Sequence, residues 1–404
     1  MPNTAETGPD APLDSTPLLD DPYATYAALR EAGPVHRITG ADGSPAWLVT
    51  RYDDVRSALA DPRLSLDRRN AAPGGYRGFA LPPALDANLL NMDPPDHTRV
   101  RRLVTKAFTP GRVDALRRPV RRVADDLLEA MEQRGSGGDL MADYAGPLPI
   151  IVICDLLGIP QRDRRDFLAW SDALITPDPA RPELMKQAIG AMLEFYTGLI
   201  AAKRAEPGDD LLSDLIAVRD EEAGDRLTED ELTSLAFLIL FAGYENTVHL
   251  IGNAVLALLD HPDQLRQLQR NPAELPSAVE EFLRYDGPAP LAIRRFPTED
   301  LEIGGVRIPA GESVLLAIAS ANRDAARFPE PDRLDRGRAV SGHLAMGHGI
   351  HRCLGAPLAR MEAVTALEAL LARFPGLRLA GPRGDLRHRR SLRSRGLISL
   401  PVAW

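Results

Sequence analysis

The sequence predicts a mainly α-helical domain with small β-sheets, on three observations. From Asp96 to about Pro290 the apolar spacing is that of helices. Within that stretch Thr228-Glu229-Asp230-Glu231 is a capping box, and the apolar pattern behind it runs to Leu259 before Asp260-His261-Pro262 stops it. After Arg284 the texture changes to short apolar runs separated by glycine and proline turns.

Taken in order, residues 1–20 are rich in Pro, Asp and Thr and are expected to form a flexible N-terminal arm, with residues 21–404 as a single domain. Trp47 to Thr50 reads as a strand and Tyr52 to Asp61 as a helix. Residues 68–91 hold several Gly and Pro and little periodicity, as functional loops do. The capped helix spans about 30 residues, or roughly 45 Å. It is apolar on nearly every side, so it is expected to be central and buried. Ile303 to Gly311 and Ser313 to Ala319 read as strands with tight turns, and Gly396 to Val402 as a strand. No internal repeat, low-complexity tract or interdomain linker is visible.

Across 404 residues the net charge is −9, which argues against bulk affinity for nucleic acid or an anionic membrane. Two cysteines, Cys154 and Cys353, are too few for a disulfide scaffold or a multi-cysteine metal site. Cys154 ends the apolar run from Ile150 and is expected to be buried and inert. Met1 to Asp10 lacks the layout of a signal peptide, and no apolar run approaches the roughly 20 residues that span a bilayer. The expectation is a soluble cytoplasmic monomer.

Chemistry concentrates at Met346-Gly347-His348-Gly349-Ile350-His351-Arg352-Cys353-Leu354-Gly355, where three glycines surround one cysteine and a helical pattern begins at Ala356. A thiolate that ligates iron needs backbone amides around its sulfur, and glycines permit the turn that presents them. The next helix would place its positive end nearby. A lone cysteine in a loop is more often simply buried; the glycine spacing and the motifs that follow reverse that preference.

This segment resembles the cysteine loop of the cytochrome P450 family, Phe-x-x-Gly-x-x-x-Cys-x-Gly, with Met346 standing where the family has the aromatic. The resemblance implies the P450 fold, with haem b between the long central helix and the cysteine loop. It makes Cys353 the axial iron ligand and Gly355 part of the cofactor loop. Glu281-Phe282-Leu283-Arg284 matches the family's Glu-x-x-Arg helix, and Arg333, in Phe328 to Leu334, is implied as third member of a structural Glu–Arg–Arg network. His97 and Arg101, four apart after Met92 to Asp96, resemble the pair that binds a haem propionate, with Arg295 and His351 implied as further contacts. In the long helix, Ala242-Gly243-Tyr244-Glu245-Asn246-Thr247 resembles the oxygen-activation motif. Ala242 and Gly243 would let the backbone approach the iron, and Glu245 would relay protons. Asn246 takes the hydroxyl position, and Thr247, rotated by about 100°, points elsewhere.

The resemblance covers nearly the whole chain, with its closest likeness to actinobacterial enzymes that tailor polyketides and other secondary metabolites. It implies insertion of one atom of O2 into a C–H bond or alkene of a small organic metabolite, with electrons from NAD(P)H through ferredoxin reductase and ferredoxin. Residues 99–122 hold nine Lys or Arg against one acid, Asp114. Arg101, Arg102, Lys106, Arg112, Arg118 and Arg122 are expected to form the ferredoxin-docking patch. Arg387 to Arg395 reads as solvated surface. The pocket wall is expected from loop 70–91, the helices around 165–200, Leu238 to Thr247 and Pro290 to Ile293, with Leu238, Leu291, Ile293 and Leu392 against substrate. Tyr244 either lines that pocket or packs. The 70–91 loop and Thr176 to Pro182 read as a mobile lid. Two other functions stay open: a haem-thiolate oxidase that couples carbons or heteroatoms, and a non-catalytic haem or ligand-binding protein.

Overall fold

The computed structural model describes residues 13–40, 42–77, 82–175, 181–221, 227–338 and 341–404. They fall into two compact units, the first from residues 1–79, 283–353 and 389–395, the second from 80–282, 354–388 and 396–404. Each unit gathers stretches far apart in sequence.

The first unit carries most of the sheet. Val35–Thr39 pairs antiparallel with Pro45–Val49, which pairs in parallel with Val314–Leu316. Val314, Leu315 and Leu316 are all buried, as befits a strand covered on both faces. Leu301–Ile303 and Val306–Ile308 form a hairpin turned by Gly304 and Gly305 at φ 56° and 82°. The expected strand from Ser313 to Ala319 stops at Leu316, because Ile318–Asn322 turns into a helix. Of the expected arm, residues 1–12 lie outside the described residues, but Thr16–Asp20 is a helix. Its Leu18 is buried against Tyr26, Ile38, Leu48 and Leu392, so this part is packed rather than loose.

The second unit is built on the Glu229–Asp260 helix, 32 residues long. Its capping box forms as the sequence predicts: Glu231 N–H donates to Thr228 Oγ1 at 3.1 Å and Thr228 N–H to Glu231 Oε2 at 2.8 Å. Glu231 also pairs with Arg99 of the Asp96–Ala107 helix, tying the two helix starts together. By length and average hydropathy this helix could cross a membrane, although it holds no unbroken apolar run of that length; 61% of its most apolar window is buried by the protein's own packing, as for a core helix. The Pro147–Leu156 and Ala356–Arg373 helices pack on it. At Gly252 a Cβ would stand 2.4 Å from the Met141 sulfur, so glycine is what lets the Met141–Ala145 π-turn lie against the helix. Residues 396–402, expected as one strand, pair as a strand only over Pro401–Ala403, between Gly137–Asp139 and Arg378–Leu379.

Candidate active site

In the first unit, the Cys353 loop closes on itself. Cys353 N–H donates to Met346 O at 2.8 Å, and Gly347 N–H to Leu344 O at 2.8 Å. Gly347 and Gly349 both sit at φ 73°, the left-handed region that glycine tolerates. At Gly349 a Cβ would also come within 3.0 Å of Leu59 O, so that position is constrained twice. Leu344 N–H is held by Asn322 Oδ1 at 2.7 Å, which anchors the loop to the Ile318–Asn322 helix. The Cys353 thiol emerges exposed, whereas Cys154 is buried and its thiol is pushed up to about 11 by burial. His351 ends the short 3-10 turn Gly349–His351; Gly355, which belongs to the second unit, caps the Ala356–Arg373 helix. Arg295 is 3% exposed, and its Nη1 donates to Leu64 O at 3.2 Å.

In the second unit, His97 and Arg101 lie one turn apart on the Asp96–Ala107 helix. Burial first, and then the Arg101 charge, hold the His97 imidazole below its usual value. The central helix is buried along most of its length but opens at Leu238, Ala242 and Asn246, which recur every fourth residue. Ala242 is exposed there, while Glu245 is 8% exposed. Gly243 faces a neighbouring helix. A Cβ on it would meet Ile153 Cδ1 at 3.2 Å, so its missing side chain seats the Pro147–Leu156 helix, and Ala242 occupies the opening. Tyr244 is half-buried, with its hydroxyl 4.0 Å from a Cβ built on Gly146.

Other expected residues fall differently. Glu281 and Arg284 are buried on one helix, and the Arg284 guanidinium donates to the carbonyls of Asn322, Pro331 and Arg333 at 3.0, 2.9 and 3.3 Å. Arg333 therefore contributes its main-chain carbonyl, not its guanidinium, which pairs with Glu330 at the surface because the tight turn directs it outward. Leu392 is consumed by the core of the first unit. Leu291 packs on that same core, and Ile293 is 45% exposed. Arg395, expected to be solvated, is half-buried instead, paired with Asp286 at 3.1 Å and lying over Tyr23. The lid segments 78–81 and 176–180 lie outside the described residues.

The basic stretch is partly neutralised. Arg112 pairs with Asp214 at 2.5 Å and Asp209 at 3.3 Å, and Arg121 with Asp125 at 3.0 Å. Arg118 and Arg122, four apart and exposed, have no acidic partner among the described residues. Sequence reasoning passed over His249, one turn beyond Glu245; its signal was a histidine in an otherwise apolar helix.

The Cytochrome P450 family description matches residues 166–377. The chain is 49% identical to Vitamin D(3) 25-hydroxylase of Pseudonocardia autotrophica, covering 96% of this chain and 95% of that one. It is 46% identical to 6-deoxyerythronolide B hydroxylase of Saccharopolyspora erythraea, covering 98% of each. The chain belongs to the cytochrome P450 family. Among solved structures, the ligand-free P450 monooxygenase TamI matches with a TM-score of 0.88 at 46% identity, over 98% of this chain and 94% of that one. This cytochrome P450 is thus a haem-thiolate monooxygenase. The donors present suit a haem: an exposed soft thiol for iron, and imidazole and guanidinium groups for carboxylates.

Proposed function

We propose that this P450 hydroxylates or epoxidises a bulky, largely apolar secondary metabolite. The observation that carries this is the opening in the central helix, lined by Leu238 and Ala242 beside the single amide of Asn246. Such a wall suits an apolar skeleton oriented by few polar contacts. Relatives named for a secosteroid and for a macrolactone skeleton support the same size class.

Cys353 holds the iron; His97, Arg101, Arg295 and His351 take the propionates, with Gly355 leaving the sulfur loop unobstructed. When bound, the haem activates O2 so that one atom enters the substrate and the other leaves as water, with the thiolate pushing electron density toward the iron. Glu245 moves protons toward the open face, and the Asn246 amide positions a water or a substrate hydroxyl there. Tyr244 adds to the wall beside Leu238 and Ala242. Electrons come from NAD(P)H through ferredoxin reductase and a ferredoxin that docks at Arg118 and Arg122, flanked by Arg101, Arg102 and Lys106. The enzyme works as a cytoplasmic monomer.

Substrate-induced spectral shifts across macrolactones, secosteroids and small aromatics test the substrate class: the two large classes bind, and binding confined to small aromatics refutes it. A coupling oxidase is the second reading, favoured by the absence of a hydroxyl at Asn246. Turnover under labelled O2 separates them, since insertion labels the product and coupling does not.

A further inference from the structure

Leu238, Ala242, Glu245 and His249 follow one another at spacings of four, three and four, so they share one face of the central helix. Exposure falls along that face, from the open Ala242 to Glu245 at 8% and His249 at 2%. His249 Nε2 stands 3.6 Å from Glu245 Oε1, inside ion-pair range. Neither ring nitrogen makes a hydrogen bond among the described residues. A buried imidazole left in that state is costly, and a carboxylate one turn away is what offsets it.

The other side of the ring meets the C-terminal segment. A Cβ on Gly396 would lie 1.9 Å from His249 Nδ1, although the backbone of Gly396 is not in the left-handed region. The imidazole, not the chain conformation, therefore demands glycine there. Gly396 brings no titratable group, so Glu245 is the charged group that meets the ring among the described residues. The sequence has reserved a seat for a histidine directly behind the proton-handling acid.

We propose that His249 is a positioning residue for Glu245. Its Nε2, 3.6 Å from Glu245 Oε1, draws the carboxylate back along the helix face. Rotation about the Glu245 side chain then carries it toward Ala242 and returns it after each proton is passed on. This role rests on the proton route through Glu245 proposed above. No bond other than those to the travelling proton is made or broken.

Two measurements on the haem-loaded protein test it. In histidine-labelled, carbonmonoxy-ferrous protein, the 15N signal assigned to His249 by its loss in His249→Leu reports a proton on Nε2, the nitrogen that faces the carboxylate, and shifts in Glu245→Gln. In substrate-free NADPH oxidation driven by a plant-type ferredoxin and its reductase, His249→Leu raises hydrogen peroxide per NADPH about fivefold, as loss of one charge-assisted contact would. His249→Gln, whose amide still donates to the carboxylate, restores most of the wild-type yield. A His249 15N signal that is unmoved in Glu245→Gln, or wild-type peroxide yield in His249→Leu beside a raised yield in Glu245→Gln, overturns the positioning role alone. A wild-type yield in Glu245→Gln overturns the proton route, and this role with it.

Discussion

Asn246 donates its side-chain amide to the carbonyl of Ala242, 3.2 Å away and one turn back along the central helix. Thr247 does the same with its hydroxyl, to Gly243 O at 2.9 Å. The carboxamide is thus pinned at its nitrogen, and its oxygen has no partner among the described residues. Asn246→Ala is expected to raise the share of electrons lost to peroxide about tenfold while haem binding stays intact. Asn246→Thr can return its hydroxyl to the same carbonyl and should stay within about threefold of wild type. Unchanged peroxide yield in the alanine variant would mean that the amide only braces the helix.

Arg118 and Arg122 should govern partner docking, because Arg112 is engaged by Asp214 and Asp209. Reversing both to Glu is expected to slow ferredoxin-driven turnover about tenfold at low salt, with the difference fading as salt rises. Peroxide-driven turnover should be spared. Arg112→Ala should instead cost about 1 kcal/mol of stability. Equal loss in both turnover assays for the double reversal would show that these charges serve the fold.

Glu362 lies inside the Ala356–Arg373 helix at 2% exposure, and burial raises its carboxyl from 4.5 to about 8. The folded protein holds this proton more tightly than the unfolded chain does. Stability from this group is therefore complete below about pH 4.5 and is lost progressively as pH rises toward 8. Glu362→Gln keeps the shape without the ionisation, so its unfolding free energy should match wild type near pH 5 and exceed it near pH 8 by on the order of 3 kcal/mol. A constant difference across that range would show that burial does not act on this carboxyl.

Lys203 and Asp210 pair at 2.6 Å with side chains 10% and 6% exposed, joining the Pro182–Ala205 helix to the start of the Leu211–Glu221 helix. Gly158 at φ 60° makes room, since a Cβ there would lie 2.4 Å from Lys203 Nζ. Lys203→Met strands the Asp210 charge and should cost about 3 kcal/mol, most of it recovered by adding Asp210→Leu. Chemical denaturation of the three proteins checks this; additive losses would contradict a coupled pair.

The sequence made the central helix legible because capping box, apolar run and Pro262 stop agree, and the helix forms from Glu229 to Asp260. The Cys353 loop was legible because Gly349 is constrained by both backbone and neighbours. Contacts that depend on which way a side chain turns were not legible. Spacing shows that Glu281 and Arg284 share a face, but not that Arg333 offers its carbonyl while its guanidinium faces solvent. Likewise the helix motif does not show that Gly243 faces Ile153, ninety residues earlier. Arg395 looked solvated because its partners, Asp286 and Tyr23, are remote in sequence.

Cys353, presented by a glycine-framed loop that ties its own N–H to Met346 O at 2.8 Å, is the residue that would hold the haem iron. The most direct measurement is the carbon monoxide difference spectrum of the reduced Cys353→Ala protein, with haem content quantified beside it. The red-shifted band of a thiolate-ligated carbonyl is expected to disappear, while Cys154→Ala, which removes the buried thiol, keeps it. A Cys353→Ala protein that retains that band would show that another group holds the iron.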